Sequence, residues 1–227
     1  MDRNQTSAPT ADAELLERIE TTLYTAVVAD SLDQLGYHDC AMSERLRPTT
    51  PRHCFAGWAR TISCRDLHYD MPDPYAKEIE AVDSLLPGEI AVVSTGQSSR
   101  NAPWGELLST AANARGARGA VVDGLVRDVK KIEELGFGVF AAGIKPVDSR
   151  GRGVVVEYNV PIECGGIMVH PGDLVFADYD GVVVIPKDIV EETIRLATDK
   201  VARENNSRAD LANGAYLRDV FQKYGVL

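Results

Sequence analysis

Between Pro87 and Ala141 the chain alternates short apolar runs with helix-patterned segments, and this alternation constrains the fold more than any other feature. The turn Pro87-Gly88-Glu89 feeds an apolar run, Ile90 to Val93, which reads as a buried strand. A polar loop, Ser94 to Ala102, leads to Pro103, which opens a helix carrying Leu107, Leu108, Ala111 and Ala112. A glycine-punctuated turn, Arg115 to Gly119, precedes a second buried strand at Ala120 to Val122. Asp123-Gly124 reads as a turn into a helix from about Arg127 to Leu135, and Val139 to Ala141 is a third strand. Strand, helix, strand, helix, strand with short connections predicts βαβ units, parallel strands and right-handed crossovers. Ligands of open α/β sheets sit beyond the carboxyl ends of parallel strands. Two loops qualify: the one after Ile90–Val93 and the one after Ala120–Val122. If those strands are neighbours, both helix starts face one crevice.

The flanks differ from this middle third. Residues 1 to 11 are expected to be disordered. Ala13 to Leu23 places Leu15, Leu16, Ile19 and Leu23 at helical spacing, and a second helix runs from Thr25, as N-cap, to Leu35 before Gly36. His38 to Arg52 is loop-like, Phe55 to Ser63 a strand, and Asp73 to Leu85 a helix with Pro74 in its first turn. Downstream, Gly153–Asn159, Gly166–Val169, Leu174–Asp178 and Gly181–Ile185 are short strands with tight turns, which predicts antiparallel β structure. A long helix from Lys187 to about Asn205 and a last one over Ala215–Tyr224 close the chain. Pro171-Gly172-Asp173, feeding Leu174–Ala177, echoes Pro87-Gly88-Glu89. No composition shift divides the sequence, so residues 12–227 are expected to form one α/β domain with helical N- and C-terminal ends.

The net charge of −10 argues against a nucleic-acid partner, because phosphate recognition depends on Lys and Arg. No apolar run reaches the roughly 18 to 20 residues that cross a bilayer. The polar Met1–Asp12 segment lacks the features of a secretory signal, so a cytoplasmic location is expected. Cys40, Cys54, Cys64 and Cys164 form no Cys-x-x-Cys pair, and no two of His38, His53, His68 and His170 sit three or four apart. Reduced, packed thiols follow, and a His-based zinc site does not. Any metal would be held by carboxylates and water, which suits Mg²⁺ or Mn²⁺.

Taken singly, the two loops say little. Gly105-Glu106-Leu107-Leu108 is a helix start, whose free amides can cradle a carboxylate but are equally an ordinary N-terminus. Arg127-Asp128 could pair a bidentate carboxylate clamp with a ligand for a hard cation, or be a solvated pair. Together they offer an amide cradle, two carboxylates (Glu106 and Asp128) and a fixed cation. That set suits a 2-oxo acid chelated to a metal, with Arg127 stabilising the enolate that forms when the adjacent C–C bond breaks.

Gly105-Glu106-Leu107-Leu108, with twenty residues between Glu106 and Arg127-Asp128, resembles the RraA-like superfamily. That superfamily includes the class II 4-hydroxy-4-methyl-2-oxoglutarate / 4-carboxy-4-hydroxy-2-oxoadipate aldolases. Asp30-Ser31-Leu32-Asp33, Gly36, Ala114-Arg115-Gly116, Val122-Asp123-Gly124, Pro171-Gly172-Asp173 and Asp180-Gly181-Val182-Val183 agree with it, and the likeness spans roughly residues 14 to 210. The resemblance implies a β/β/α swivelling-domain-like fold, assembled as homotrimers or hexamers with sites at subunit interfaces. It implies Mg²⁺ or Mn²⁺ at Asp128, with Glu106 acting through water where the aldolases often carry Asp. It implies that Arg127 holds the pyruvate part of the substrate and that the amides of Leu107 and Leu108 hold its carboxylate. A further acidic residue is expected from the C-terminal helix of a neighbouring subunit; Glu204 is the best match, with Glu191 and Glu192 as rivals. The activity implied is metal-dependent aldol cleavage of a 2-oxo acid to pyruvate, with oxaloacetate decarboxylase activity. Two other readings compete. Some relatives inhibit ribonuclease E by protein contact, a role that needs no metal site. A methyltransferase is disfavoured, because no Gly-x-Gly-rich strand-to-helix turn is present. His68 and Tyr69 could line the side of the crevice that sets specificity, although packing or solvent exposure is the ordinary fate of such residues.

Overall fold

The computed structural model describes residues 10–226. In chain order its elements are α1 (Thr10–Thr22), α2 (Thr25–Gln34), β1 (Arg47–Pro48), β2 (Phe55–Asp66), α3 (Ala76–Asp83), β3 (Glu89–Ser94), α4 (Glu106–Ala114), β4 (Gly119–Val126), α5 (Val129–Leu135), β5 (Gly138–Ile144), β6 (Gly153–Tyr158), β7 (Ile162–Cys164), β8 (Ile167–Val169), β9 (Leu174–Asp178), β10 (Gly181–Ile185), α6 (Val190–Ala212) and α7 (Leu217–Tyr224). The segment expected to be disordered lies, up to residue 9, outside the described residues.

One sheet organises the chain, in the order β1-β5-β4-β3-β2-β9-β10, with β6 also paired to β2. Its centre, β2-β3-β4-β5, is parallel, as the βαβ alternation predicts. Strands β9, β10 and β6 add antiparallel edges, so the sheet curls into a nearly closed barrel. The barrel interior holds Phe55, Ile90, Val92, Val121, Phe140 and Val175. The Phe55 ring sets its geometry. It meets Phe140 edge-on at 5.6 Å between centroids. It also lies so close to Gly119 and Gly138 that a Cβ on either would fall within 2.7 Å of it.

Two helical layers cover the outside. α3, α4 and α5 pack their apolar stripes over the parallel strands, burying Trp104, Ala112, Ile132 and Val82. α1, α2 and α6 cover β9 and β10 through Leu16, Ile19, Val28, Leu32 and Ile194. Thr25 is the first helical residue of α2 rather than its cap. The Asp178 carboxylate, at the end of β9, takes both its amide and its hydroxyl hydrogen, at 2.7 and 2.6 Å.

The repeated Pro-Gly-acid turn does one job twice. Gly88 and Gly172 both take φ near +85° (86° and 84°), which favours glycine. Both turns abut the same point of β2: Trp58 pairs with Glu89 on one side and with Leu174 on the other. Asp123-Gly124 is not a turn. β4 runs through it to Val126 with a register shift between Val122 and Leu125. Asp123 is buried at 4% exposure, and Thr95 donates its amide and hydroxyl to it at 2.5 and 2.9 Å. A Cβ on Gly124 would lie 2.4 Å from the Thr95 hydroxyl oxygen. The acid and the glycine thus serve a distant loop, not a local bend.

Candidate active site

Because β3 and β4 are parallel neighbours, the loops leaving their carboxyl ends do converge. Trp104 bridges to Val126, and the Arg127 amide donates to the Trp104 carbonyl at 3.0 Å, which joins the approach to α4 to the end of β4. The Trp104 ring is buried. Its indole N–H donates to the Ser109 hydroxyl at 2.9 Å, and that hydroxyl donates to the Gly105 carbonyl at 3.0 Å, pinning the first turn of α4.

Gly105 is the N-cap of α4, with φ −152°. Any residue can adopt that backbone, so space, not conformation, requires a glycine. A Cβ there would lie 2.8 Å from Asp128 Oδ2 and 3.1 Å from Arg127 Cγ. The Glu106 amide points at Asp128 Oδ2 from 3.5 Å. The amides of Leu107 and Leu108 have no acceptor within their own helix, as for every first helical turn. The Leu107 side chain is 77% exposed and Leu108 packs inward. Glu106 is half-buried and accepts the Thr110 hydroxyl at 2.8 Å.

Asp128 caps α5 in a left-handed backbone, φ +59°, yet its carboxylate makes no bond to the start of its own helix. It faces α4 and Arg127 instead. Aspartate tolerates this conformation better than most residues, but at a cost of about 1 kcal/mol or more, which marks a constrained position. Arg127 Nε lies 3.6 Å from Asp128 Oδ2, and Arg127 Nη2 lies 3.4 Å from Asp148 Oδ1.

Asp148, Tyr75 and Glu78 were not among the residues read from the sequence. Burial alone would lift the Asp148 carboxyl. The Tyr75 hydroxyl, the Ser149 amide, Arg127 and the Arg150 amide together hold it below the usual carboxylate range. Tyr75 in turn is raised, first by its hydrogen bond to Asp148. Glu78, three residues on along α3, is pushed up to about 7 by burial and then by Asp148, against the pull of Arg127. The rule that selected the first two loops applies equally to the one after β5, where Asp148 sits, because β5 is the fourth parallel strand. Beyond Asp148 opens a cavity of about 680 Å³ whose lining includes His68, Tyr69, Arg100, Arg150 and Arg152.

For a cation, Asp128 supplies carboxylate oxygens in the crevice, and Glu106 carries another carboxylate on the first turn of α4. Among the described residues no three His, Cys, Asp or Glu side chains cluster as a ready ligand set. One or two carboxylates with water completing the shell is the coordination Mg²⁺ favours, so the donor chemistry fits a hard divalent ion. Glu204 lies elsewhere. Tyr24 of the same chain donates to it, burial raises its carboxyl despite Arg208, and its helix packs on α2, away from α4 and α5. It can reach an Arg127-Asp128 crevice only in another copy. Of its rivals, Glu192 is paired with Arg195 at 2.8 Å, whereas Glu191 is simply exposed.

The chain is similar to known proteins. The RraA-like family model, described as Aldolase/RraA, matches residues 25–184. A protein of Halalkalibacterium halodurans named as a candidate 4-hydroxy-4-methyl-2-oxoglutarate aldolase is 31% identical over 203 residues, covering 89% of this chain and 91% of that one. One of the same name from Ectopseudomonas mendocina is 38% identical over 136 residues, 60% of this chain and 79% of its own. Among solved structures, RraAS2 of Streptomyces coelicolor, described as an unusual member of the RNase ES inhibitor RraA family, superposes with a TM-score of 0.78. It is 28% identical and covers 86% of this chain and 97% of its own. Among the described residues no helix is long and apolar enough to cross a membrane. With the match spanning most of the sheet and both site loops, the chain belongs to the RraA-like, Aldolase/RraA family.

Proposed function

We propose that the protein is a class II, divalent-metal-dependent aldolase. It cleaves 4-hydroxy-4-methyl-2-oxoglutarate-type 2-oxo acids to pyruvate and a second oxo compound, and it also decarboxylates oxaloacetate. The observation that carries this reading is the fit of Gly105 against Arg127 and Asp128. Two separate strand-to-helix loops meet with no room for a methyl group, leaving a carboxylate, a guanidinium and a helix start in one crevice.

In the cleavage the C4 hydroxyl loses its proton, the C3–C4 bond breaks, and its electron pair passes into the enolate of pyruvate, which then takes a proton at C3. Decarboxylation of oxaloacetate breaks the same bond, releases CO₂ and leaves the same enolate. A bound Mg²⁺ or Mn²⁺, held by Asp128 and through water by Glu106, would supply Lewis-acid polarisation of the 2-oxo group. Arg127 binds the substrate carboxylate and offsets the charge that develops as the bond breaks. The amides of Leu107 and Leu108 orient the same carboxylate at the positive end of α4. Glu106 handles the proton of the C4 hydroxyl. We place the site at an interface of a homotrimer or hexamer in the cytoplasm, with Glu204 of a neighbouring copy as the additional acid.

Pyruvate release tests the reading, with oxaloacetate and 4-hydroxy-4-methyl-2-oxoglutarate as substrates, with Mg²⁺ and with chelator. Turnover should need the metal, and Arg127→Ala should lower kcat/KM by about 10²–10³-fold. Absence of turnover with both substrates, together with an Arg127→Ala protein that behaves as wild type, would defeat it. A ribonuclease E pull-down that survives Asp128→Ala would favour a protein regulator instead.

A further inference from the structure

We propose that Asp148, anchored by Tyr75, is the positioning residue that aims the Arg127 guanidinium across the mouth of the crevice. This rests on the reading that Arg127 takes the substrate carboxylate.

Arg127 follows directly on the last residue of β4, Val126, and carries a long side chain that is 37% exposed. Fixing such a side chain costs up to about 2 kcal/mol of rotamer entropy, so a clamp that must meet a planar carboxylate needs to be held beforehand. Two carboxylates lie along the Nε/Nη2 edge of the guanidinium: Asp128 is by Nε at 3.6 Å and Asp148 by Nη2 at 3.4 Å. Neither carboxylate is paired with Nη1, which is left to meet a ligand. A single exposed ion pair is worth little and would not hold a direction. What distinguishes Asp148 is that it is itself fixed. Its Oδ2 takes the Tyr75 hydroxyl from the start of α3, and its Oδ1 takes the Ser149 amide at 2.8 Å. The loop that carries it is tied down at both ends. Lys145 donates its amide to the Val126 carbonyl at 3.0 Å and its Nζ to the Ser99 carbonyl at 2.8 Å. The Arg152 and Gly153 amides both donate to the Ser149 carbonyl at 2.7 Å. The first of these tethers ends one residue before Arg127. The distance between Asp148 and the base of the arginine is thus set by backbone, and Tyr75 sets the orientation of the carboxylate. This is the support that a precise binding group needs behind it.

Arg127 holds the substrate carboxylate and also offsets the charge that develops as the bond breaks, so a misaimed clamp raises KM and lowers kcat. With Mg²⁺ present, Asp148→Asn should raise the KM for oxaloacetate and the Kd for pyruvate about tenfold and lower kcat by about threefold or more. Tyr75→Phe should do the same about threefold, because it loosens the anchor without removing the carboxylate. In an Arg127→Ala background Asp148→Asn should add nothing further, which a general packing defect would not reproduce. Crystal structures supply a readout independent of turnover: one guanidinium orientation in the wild type and several in Asp148→Asn. The inference is overturned if Asp148→Asn leaves KM and Kd within about twofold of wild type. It is equally overturned if Arg127 keeps its single orientation without Asp148. A wild-type protein that neither turns over oxaloacetate nor binds pyruvate defeats the functional reading, whatever the two crystal structures show of the arginine.

Discussion

The barrel interior and the Arg127-Asp128 crevice each depend on glycines that leave no room for a methyl group, but what presses on them differs. At Gly119 and Gly138 the neighbour is the Phe55 ring, fully buried and wedged against Phe140. At Gly105 the neighbours are a carboxylate oxygen and an arginine stem, both part-exposed. A buried ring cannot yield, so a methyl group in the barrel is converted into lost stability. A part-exposed carboxylate can shift towards solvent, so the same methyl group in the crevice is converted into lost geometry. The same steric demand therefore marks a folding constraint in one place and, on the proposed function, a functional one in the other.

This contrast can be broken experimentally. Gly105→Ala should lower aldolase or decarboxylase kcat/KM by about 10²-fold while the melting temperature stays within a few degrees, since reacting groups misplaced by about 1 Å lose that much. A large fall in melting temperature would erase the distinction. Gly138→Ala should do the reverse, destabilising by about 1–3 kcal/mol through overpacking while active-site behaviour per folded molecule is retained. Denaturant unfolding and an activity titration separate the two outcomes. A third test bears on the half-buried edge of the crevice. Glu78 is pushed up to about 7 in the fold, from an ordinary value of 4.5. An acid whose folded value is raised loses stability for the protein as pH climbs from the unfolded value to the folded one. The penalty is then constant above about 7. Glu78→Gln should therefore melt like wild type near pH 4.5 and be more stable by roughly 1–2 kcal/mol at pH 8. Equal melting at both pH values would show that the carboxyl is solvated and not part of the Arg127 surroundings.

Much of the parallel core was readable because each strand is a short apolar run and each helix carries its own 3.6-residue stripe. Ile90–Val93 and Ile132 need no distant information. The meeting of Gly105-Glu106 with Arg127-Asp128 was readable in part, since neighbouring parallel strands send their loops to the same edge. Asp123-Gly124 misled because both residues form turns by local chemistry, while here Thr95 supplies the partner from another strand's loop. Asp148 and Tyr75 left no trace in periodicity or spacing. Their bond spans 73 positions and exists only once α3 and the loop after β5 are folded. Asp128 illustrates the same limit at closer range. Its residue type suggested a helix start, but only the backbone reveals that its carboxylate turns away from that helix.

The central claim divides the pair: Asp128 serves the metal and Arg127 the substrate. A crystal structure with Mg²⁺ and pyruvate tests this most directly. It should show an Asp128 oxygen in the metal shell and the pyruvate carboxylate against the Arg127 guanidinium, beside the first amides of α4. Pyruvate bound away from Arg127, or a metal bound without Asp128, would contradict it.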